Sequence, residues 1–233
     1  MLRAMKVFAH RGLHSRHVGE NTLAAFLRAA DVGADGIEFD LRVSRDGEPV
    51  AIHDENLSRV AGDARRVRDL TVRELQSVVL RGEGRIPTLN DITGSVPHPV
   101  EFDMEVKDHD VLKPLLKKLS TSCGLRGRTI VSSFVLDDLL AVKEACPDVR
   151  TVLLNRSWPL PLKGRTFWPR MRGQGLWGLG FRSTILTRQR VGMLQEQGCI
   201  VASWDDQPLK SDEQRMRGLG VDVAIIYRVD RRS

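Results

Sequence analysis

The stretch Gly36-Ile37-Glu38-Phe39-Asp40-Leu41-Arg42-Val43, followed by Ser44-Arg45-Asp46-Gly47-Glu48 and then Pro49-Val50-Ala51-Ile52-His53-Asp54, decides the fold. Residues 36–43 and 49–53 both read as strands, with only Arg45-Asp46-Gly47-Glu48 set between them. A parallel crossover needs about a dozen residues or more, so the two cannot be parallel neighbours. Asp-Gly between extended runs signals a hairpin. A two-residue turn at Asp46-Gly47 pairs 45 with 48, 43 with 50 and 40 with 53. His53 is thereby expected opposite Asp40, on the same face of the ribbon.

With the second arm of the hairpin set aside, eight strand candidates remain: 5–9, 36–43, 100–106, 129–133, 150–154, 176–180, 199–203 and 222–226. Helical patterns at 21–32, 71–80, 110–121, 135–145, 187–197 and 209–217 alternate with them. Such alternation argues for parallel βαβ units. The expected fold is α/β, a TIM (β/α)8 barrel with a short β-hairpin insertion after strand 2, and residues 1–233 as one domain. A length of 233 residues and 41% hydrophobic content suit one such barrel. Residues 155–182, rich in Pro, Gly, Trp and Arg, read as a long ordered loop around a short strand.

No apolar stretch has the length of a signal-peptide core or a membrane span. Cys123, Cys146 and Cys199 are far apart and lack metal-ligand spacing, which reads as reduced structural thiols in a cytoplasmic protein. The net charge of +6 fits an anionic small molecule better than nucleic acid, for which no motif is present. The basic cluster Arg228, Arg231 and Arg232 reads as a solvated tail.

Barrel enzymes place their sites at the C-terminal ends of the strands. There the sequence carries His10-Arg11-Gly12, Glu38 and Asp40, His53-Asp54, Asp103-Glu105-Lys107, Ser132-Ser133-Phe134 and Trp204. Alternation sets Glu38 and Asp40 on one face of a strand that is otherwise apolar. A buried carboxylate pair needs a cation or donors. With Glu105 as a third oxygen ligand, the set suits Mg²⁺ or Ca²⁺ better than Zn²⁺. His10 and His53 flank the carboxylates as a candidate acid/base pair, while Arg11 and Lys107 offer positive charge to phosphate oxygens. Asn21-Thr22 is expected to cap the first helix, and His14, His17, His98 and His109 read as surface or loop residues.

Taken in order, His10-Arg11-Gly12, Glu20-Asn21-Thr22, Gly33-Ala34-Asp35-Gly36-Ile37-Glu38-Phe39-Asp40, Asp46-Gly47-Glu48-Pro49-Val50 and His53-Asp54 resemble the glycerophosphodiester phosphodiesterase family. The likeness continues through Asp69-Leu70-Thr71, Ile86-Pro87-Thr88-Leu89, Glu105-Val106-Lys107, Ser133-Phe134, Trp204 and Gly220-Val221-Asp222. The resemblance implies a barrel phosphodiesterase that cleaves glycerophosphodiesters to sn-glycerol 3-phosphate and an alcohol. It implies Glu38, Asp40 and Glu105 as metal ligands, His10 and His53 as the acid/base pair, and Arg11, Lys107 and Trp204 as substrate contacts.

The chain departs from the family pattern at Trp204-Asp205-Asp206-Gln207, at Ile226-Tyr227 and at Asp91, all outside the carboxylate–histidine set and bearing on the alcohol side. Alternatives are a lysophospholipase D-like enzyme and a non-catalytic barrel that binds phosphorylated ligands. Trp158, Phe167, Trp168 and Trp177, interleaved with Arg156, Lys163, Arg165, Arg170 and Arg172, admit two readings: a cap on the barrel, or an amphipathic lip making peripheral contact with membrane lipid.

Overall fold

The computed structural model describes residues 4–158, 161–205 and 212–229, without the side chains of 161–165 and 212. Among the described residues there are nine strands: β1 (Lys6–His10), β2 (Gly36–Val43), β3 (Pro49–Ala51), β4 (Glu101–Val106), β5 (Thr129–Ser133), β6 (Arg150–Asn155), β7 (Gly178–Arg182), β8 (Ile200–Trp204) and β9 (Val223–Ile226). Their order is β1-β9-β8-β7-β6-β5-β4-β2, and β1 pairs again with β2, so eight parallel strands close into a barrel. The ninth, β3, pairs antiparallel with β2 from outside. The expected fold is thus observed.

β2 explains why the hairpin exists. It runs eight residues, and β1 covers only Gly36 to Glu38 along one edge. β3 pairs with Leu41 to Val43 and covers the part of that edge that β1 leaves open. An uncovered strand edge is a pairing hazard, and the hairpin removes it. Behind the hairpin, Val50, Ile52, Leu57, Val67, Leu70, Leu75 and Ile86 form their own small core.

Side chains alternate between two cores. Val7, Ala9, Ile37, Phe39, Leu41, Phe102 and Met104 face outward against the helices. Phe8, Ile130, Val152, Leu154, Ile200, Trp204, Val223 and Ile225 fill the barrel interior. Gly36 is required by this filling, since a Cβ there would lie 2.5 Å from the Phe8 ring. The interior apolar layers stop short of the C-terminal end on the β1, β2 and β4 side, and carboxylates take over.

Two expectations are corrected. Ser44 pairs with Glu48 across a three-residue turn, and Gly47 has φ +83, which closes it. The ladder therefore sets Arg42 against Val50 and Val43 against Pro49, one residue away from the pairing that a two-residue turn would give. A loop ending on a glycine in the left-handed region adds one residue without strain. Residues 161–173, expected as loop, form a helix despite Pro169. Trp168 and Met171, three apart on one face, bury against the barrel and anchor it. Trp168 is 1% exposed, and its Nε1 donates to the Gln197 carbonyl at 3.1 Å. Trp158 packs on Phe181, and Trp177 lies beneath Arg150. Lys163, Arg165, Asp206, Gln207, Arg231 and Arg232 lie outside the side chains described. Cys146 and Cys199 are buried and Cys123 is exposed, with no disulfide among the three. No helix among the described residues is long and apolar enough to cross a membrane.

Candidate active site

A cavity of about 530 Å³ opens at the C-terminal end of the barrel. His10, Arg11, Glu38, His53, Glu105, Lys107 and Trp204 line it, and fully buried Asp40 lies within ion-pair reach of Arg11 and Lys107. The structure thus gathers every site residue expected from the sequence.

The carboxylates stand in two cross-strand pairs. The β2–β4 register sets Glu38 opposite Asp103 and Asp40 opposite Glu105. Like charges directly opposite one another are destabilising, so the arrangement calls for cations. Lys107 Nζ answers part of that demand, 2.6 Å from Glu105 Oε1 and 3.1 Å from Asp40 Oδ1. Arg11 Nε lies 3.2 Å from Asp40 Oδ2, and the Arg11 backbone N–H donates to Glu38 Oε2 at 3.1 Å. Arg11 holds φ +56, a left-handed conformation unusual for its type, and this turn brings both its amide and its guanidinium onto the acidic cluster.

The charge balance remains incomplete. Burial, then the charges of Asp40 and Glu105, push the Glu38 carboxyl well above its ordinary range. Burial and Asp40 raise Glu105 as well. For Asp40 burial acts in the same sense, but Arg11 and Lys107 outweigh it and hold the group below the usual range. Glu38 Oε1 is buried without a hydrogen-bond partner, and Asp40 Oδ1 has only the ion-pair approach of Lys107. One oxygen each from Glu38, Asp40 and Glu105 lies within 4.8 Å of the others. Orphaned carboxylate oxygens in an all-oxygen set are compatible with a divalent cation.

The two histidines differ in setting. His10 is 7% exposed, its Nε2 is 3.7 Å from Glu38 Oε2, and burial followed by the Arg11 charge pulls its pKa down to about 3. His53 is half-buried, and burial lowers its pKa too, although Asp40 pulls the other way. Its Nδ1 lies 2.6 Å from Asp54 Oδ1. A carboxylate can only accept, which puts a proton on Nδ1 and leaves Nε2 for the cavity. With the register one residue off, His53 does not sit opposite Asp40; Ile52 does, its N–H donating to the Asp40 carbonyl at 2.9 Å. The ribbon ends at Ala51, and the chain beyond it bends into the cavity, pinned by Arg42 Nε on the His53 carbonyl at 2.9 Å.

Several residues take places in the site that the sequence did not assign them. Asn21 does not cap the first helix; Thr22 does, accepting from the Ala25 N–H. Asn21, at φ +55, donates Nδ2 to Asp40 Oδ2 at 2.8 Å. Glu20 accepts from Arg11 at 3.0 Å and from Arg59 at 2.7 Å, and Arg59 reaches Asp54 at 2.6 Å. This chain of charges ties His53 to Arg11, and of its links Arg59 alone left no trace in the sequence motifs. Asp103 lies on the cavity wall, and burial pushes its carboxyl up to about 7.

The departures also find their places. Tyr227 lines the cavity, with its ring T-shaped to those of His10 and half-buried His14 at centroid distances of 4.6 and 5.7 Å. Asp205 is buried and bonded to Ser183. Asp91 closes a capping box with Thr88 at the start of the helix Leu89–Ser95, a structural use.

The chain is 36% identical over 160 residues to a glycerophosphodiester phosphodiesterase of Caldanaerobacter subterraneus subsp. tengcongensis, covering 64% of this chain and 65% of that one. It is 35% identical over 172 residues to glycerophosphodiester phosphodiesterase 1 of Mus musculus, covering 69% and 52%. The matched region thus spans between half and two thirds of the length of these relatives. The structure of an Oleispira antarctica phosphodiesterase in complex with the product sn-glycerol 3-phosphate shares the fold, with a TM-score of 0.82 and 22% identity over 95% of this chain and 93% of that one. The profile of the glycerophosphoryl diester phosphodiesterase family matches residues 10–231. From the histidine that ends the first strand to beyond the closing strand, the chain belongs to the glycerophosphoryl diester phosphodiesterase family.

Proposed function

We propose that this protein hydrolyses glycerophosphodiesters to sn-glycerol 3-phosphate and an alcohol, with Glu38, Asp40 and Glu105 holding Mg²⁺ or Ca²⁺ and with His10 and His53 as the acid/base pair. The observation that carries this reading is the convergence of two unlike histidines on a carboxylate cluster with orphaned, buried oxygens. Family membership and the product bound by the Oleispira relative support the substrate class.

A bound cation would polarise a non-bridging phosphate oxygen and acidify a hydroxyl near it. The chain's own residues do the rest. One of His10 and His53 takes a proton from the nucleophile. The other gives a proton to the departing alkoxide, and Asp54 orients the His53 ring through Nδ1. Arg11 and Lys107 turn positive charge toward the phosphoryl oxygens as charge builds there. Asn21 and Glu20 hold Asp40 and Arg11 in place. Trp204 offers an apolar face to the bound diester.

The test is release of sn-glycerol 3-phosphate from glycerophosphocholine and glycerophosphoethanolamine, with and without chelator. Turnover that disappears on chelation and returns with Mg²⁺ or Ca²⁺ is expected. Full turnover in metal-stripped protein would remove the metal from the proposal, and no release from any diester would remove the activity.

A further inference from the structure

Among the described residues of the cavity wall, two carboxylates keep a buried oxygen without a hydrogen-bond partner, Glu38 at Oε1 and Asp103 at Oδ1. Glu38 belongs to the three groups whose oxygens converge within 4.8 Å, and Asp103 stands outside that set. A cation held by the three therefore leaves the Asp103 oxygen unexplained. The group is 2% exposed, and the Ser132 side chain hydrogen-bonds it. Glu105, two residues on, has the Lys107 ammonium at 2.6 Å, whereas Asp103 forms no ion pair among the described residues. A carboxylate oxygen is costly to bury unpaired, and one that lines a cavity can take its donor from a ligand.

Strand geometry decides which part of a ligand reaches it. Asp103 precedes Glu105 on the same inward face of β4, so it lies roughly 7 Å further from the barrel mouth along the strand. Across the β2–β4 register it stands opposite Glu38. On its other side the register partner is Ile130 of the apolar inner core, which offers no donor. Arg11 and Lys107, both paired with Asp40, mark the level of the phosphate nearer the mouth. A glycerol phosphate held there, with its middle hydroxyl beside the Glu38–Asp40–Glu105 cluster, has one carbon and one hydroxyl left to extend down the β4 face. That terminal hydroxyl is a donor of the right reach. A carboxyl group accepts from a hydroxyl whether or not it is ionised, so the contact holds in either protonation state of Asp103.

We propose that Asp103 is a specificity residue for the glycerol half of the substrate, its Oδ1 accepting a hydrogen bond from the terminal hydroxyl. This role rests on the diester hydrolysis proposed above and concerns the half that keeps the phosphate. Glu38, Asp40 and Glu105 serve the cation, and Asp103 reads the polyol. A diester whose glycerol lacks that hydroxyl leaves Oδ1 buried and unpaired in the complex, which is how a polar site rejects a deoxy analogue.

The experiment compares kcat/KM for glycerophosphocholine and for its analogue with propane-1,2-diol in place of glycerol, which lacks the terminal hydroxyl. The wild type is expected to favour the glycerol substrate by at least about tenfold, the scale of a hydrogen bond to a charged group. Asp103→Leu should bring the ratio close to unity, while Asp103→Asn, which keeps an acceptor oxygen, should hold most of it. A carboxylate that only shaped the metal cluster would slow both substrates alike. A ratio unchanged in Asp103→Leu, or a wild type without preference, therefore overturns the role and leaves the hydrolase reading intact. Asp103→Ala carries the same comparison if circular dichroism shows Asp103→Leu unfolded. Calorimetry with sn-glycerol 3-phosphate and with propane-1,2-diol phosphate, lacking the same hydroxyl, reads the contact without turnover. Tighter binding of the glycerol phosphate that disappears in Asp103→Leu upholds the role even if no diester is cleaved, and equal binding of the two by the wild type overturns it.

Discussion

The two halves of the cavity are built on opposed principles. On the β1, β2 and β4 side the interior is carboxylate opposite carboxylate, held by Arg11, Lys107 and Asn21. On the side of β6 to β9 it is apolar down to the floor, with Leu154, Trp204 and Ile225 part of the inner core. The first half carries strain: buried oxygens without partners and acid groups displaced from their usual ranges. The second half is a continuation of the barrel's packing. Stability and reactivity are therefore expected to separate by wall, as they do wherever a site is kept at the expense of local stability.

The strongest way to break this comparison is to substitute the histidines. His10→Ala and His53→Ala are each expected to lower kcat by about 10²–10⁴-fold while the fold persists. The double variant should lose less than the product of the two, since a shared proton-transfer step is broken once. Steady-state rates with circular dichroism as the folding control decide it, and a folded His53→Ala with near-normal kcat would take His53 out of the chemistry.

On the opposite wall Leu154→Ala should cost about 2–5 kcal/mol of stability, read by denaturant unfolding, because it leaves a cavity in the inner core. At a temperature where the variant is folded, its turnover should fall far less than that of either histidine variant. A loss of activity as deep as theirs would mean the apolar wall also sets the reacting geometry.

Glu38→Gln sharpens the contrast from the other direction. Activity should vanish, yet the metal-stripped protein should gain on the order of 1 kcal/mol, roughly 2–4 °C in Tm, because a like-charge pair is relieved. A lower Tm would show that Glu38 is held by donors as fully as its partners are.

The smallest effect concerns pH. His10 titrates in the folded state near 3 against an ordinary 6.5, so between these values the unfolded chain binds the proton and the folded chain does not. Stability of the chelated protein should therefore fall as pH drops from 6.5 toward 3, by up to about 1.4 kcal/mol per pH unit from this group. In His10→Gln that part of the slope should be missing, and an identical slope would place the buried proton acceptor elsewhere.

The sequence by itself determined the barrel, because a four-residue link cannot carry a parallel crossover and eight strands remain once the hairpin is removed. It also determined the acidic half of the site: alternation alone puts Glu38 with Asp40 and Asp103 with Glu105 on inward faces, wherever the strands end. What it could not resolve were matters of one or two residues and of distant partners. A glycine in the left-handed region shifted the hairpin by one residue, and β7 ends at Arg182 where the sequence pattern stopped at Gly180, which hid an arginine of the cavity wall. Pro161, Gly164 and Pro169 masked a helix that burial of Trp168 and Met171 sustains, because tertiary packing outweighs local propensity. The tie from His53 through Asp54, Arg59 and Glu20 to Arg11 joins residues up to 48 positions apart in sequence. Only closure of the barrel brings such groups within hydrogen-bond reach, since a strand's alternation fixes which face a side chain takes but not what stands across from it.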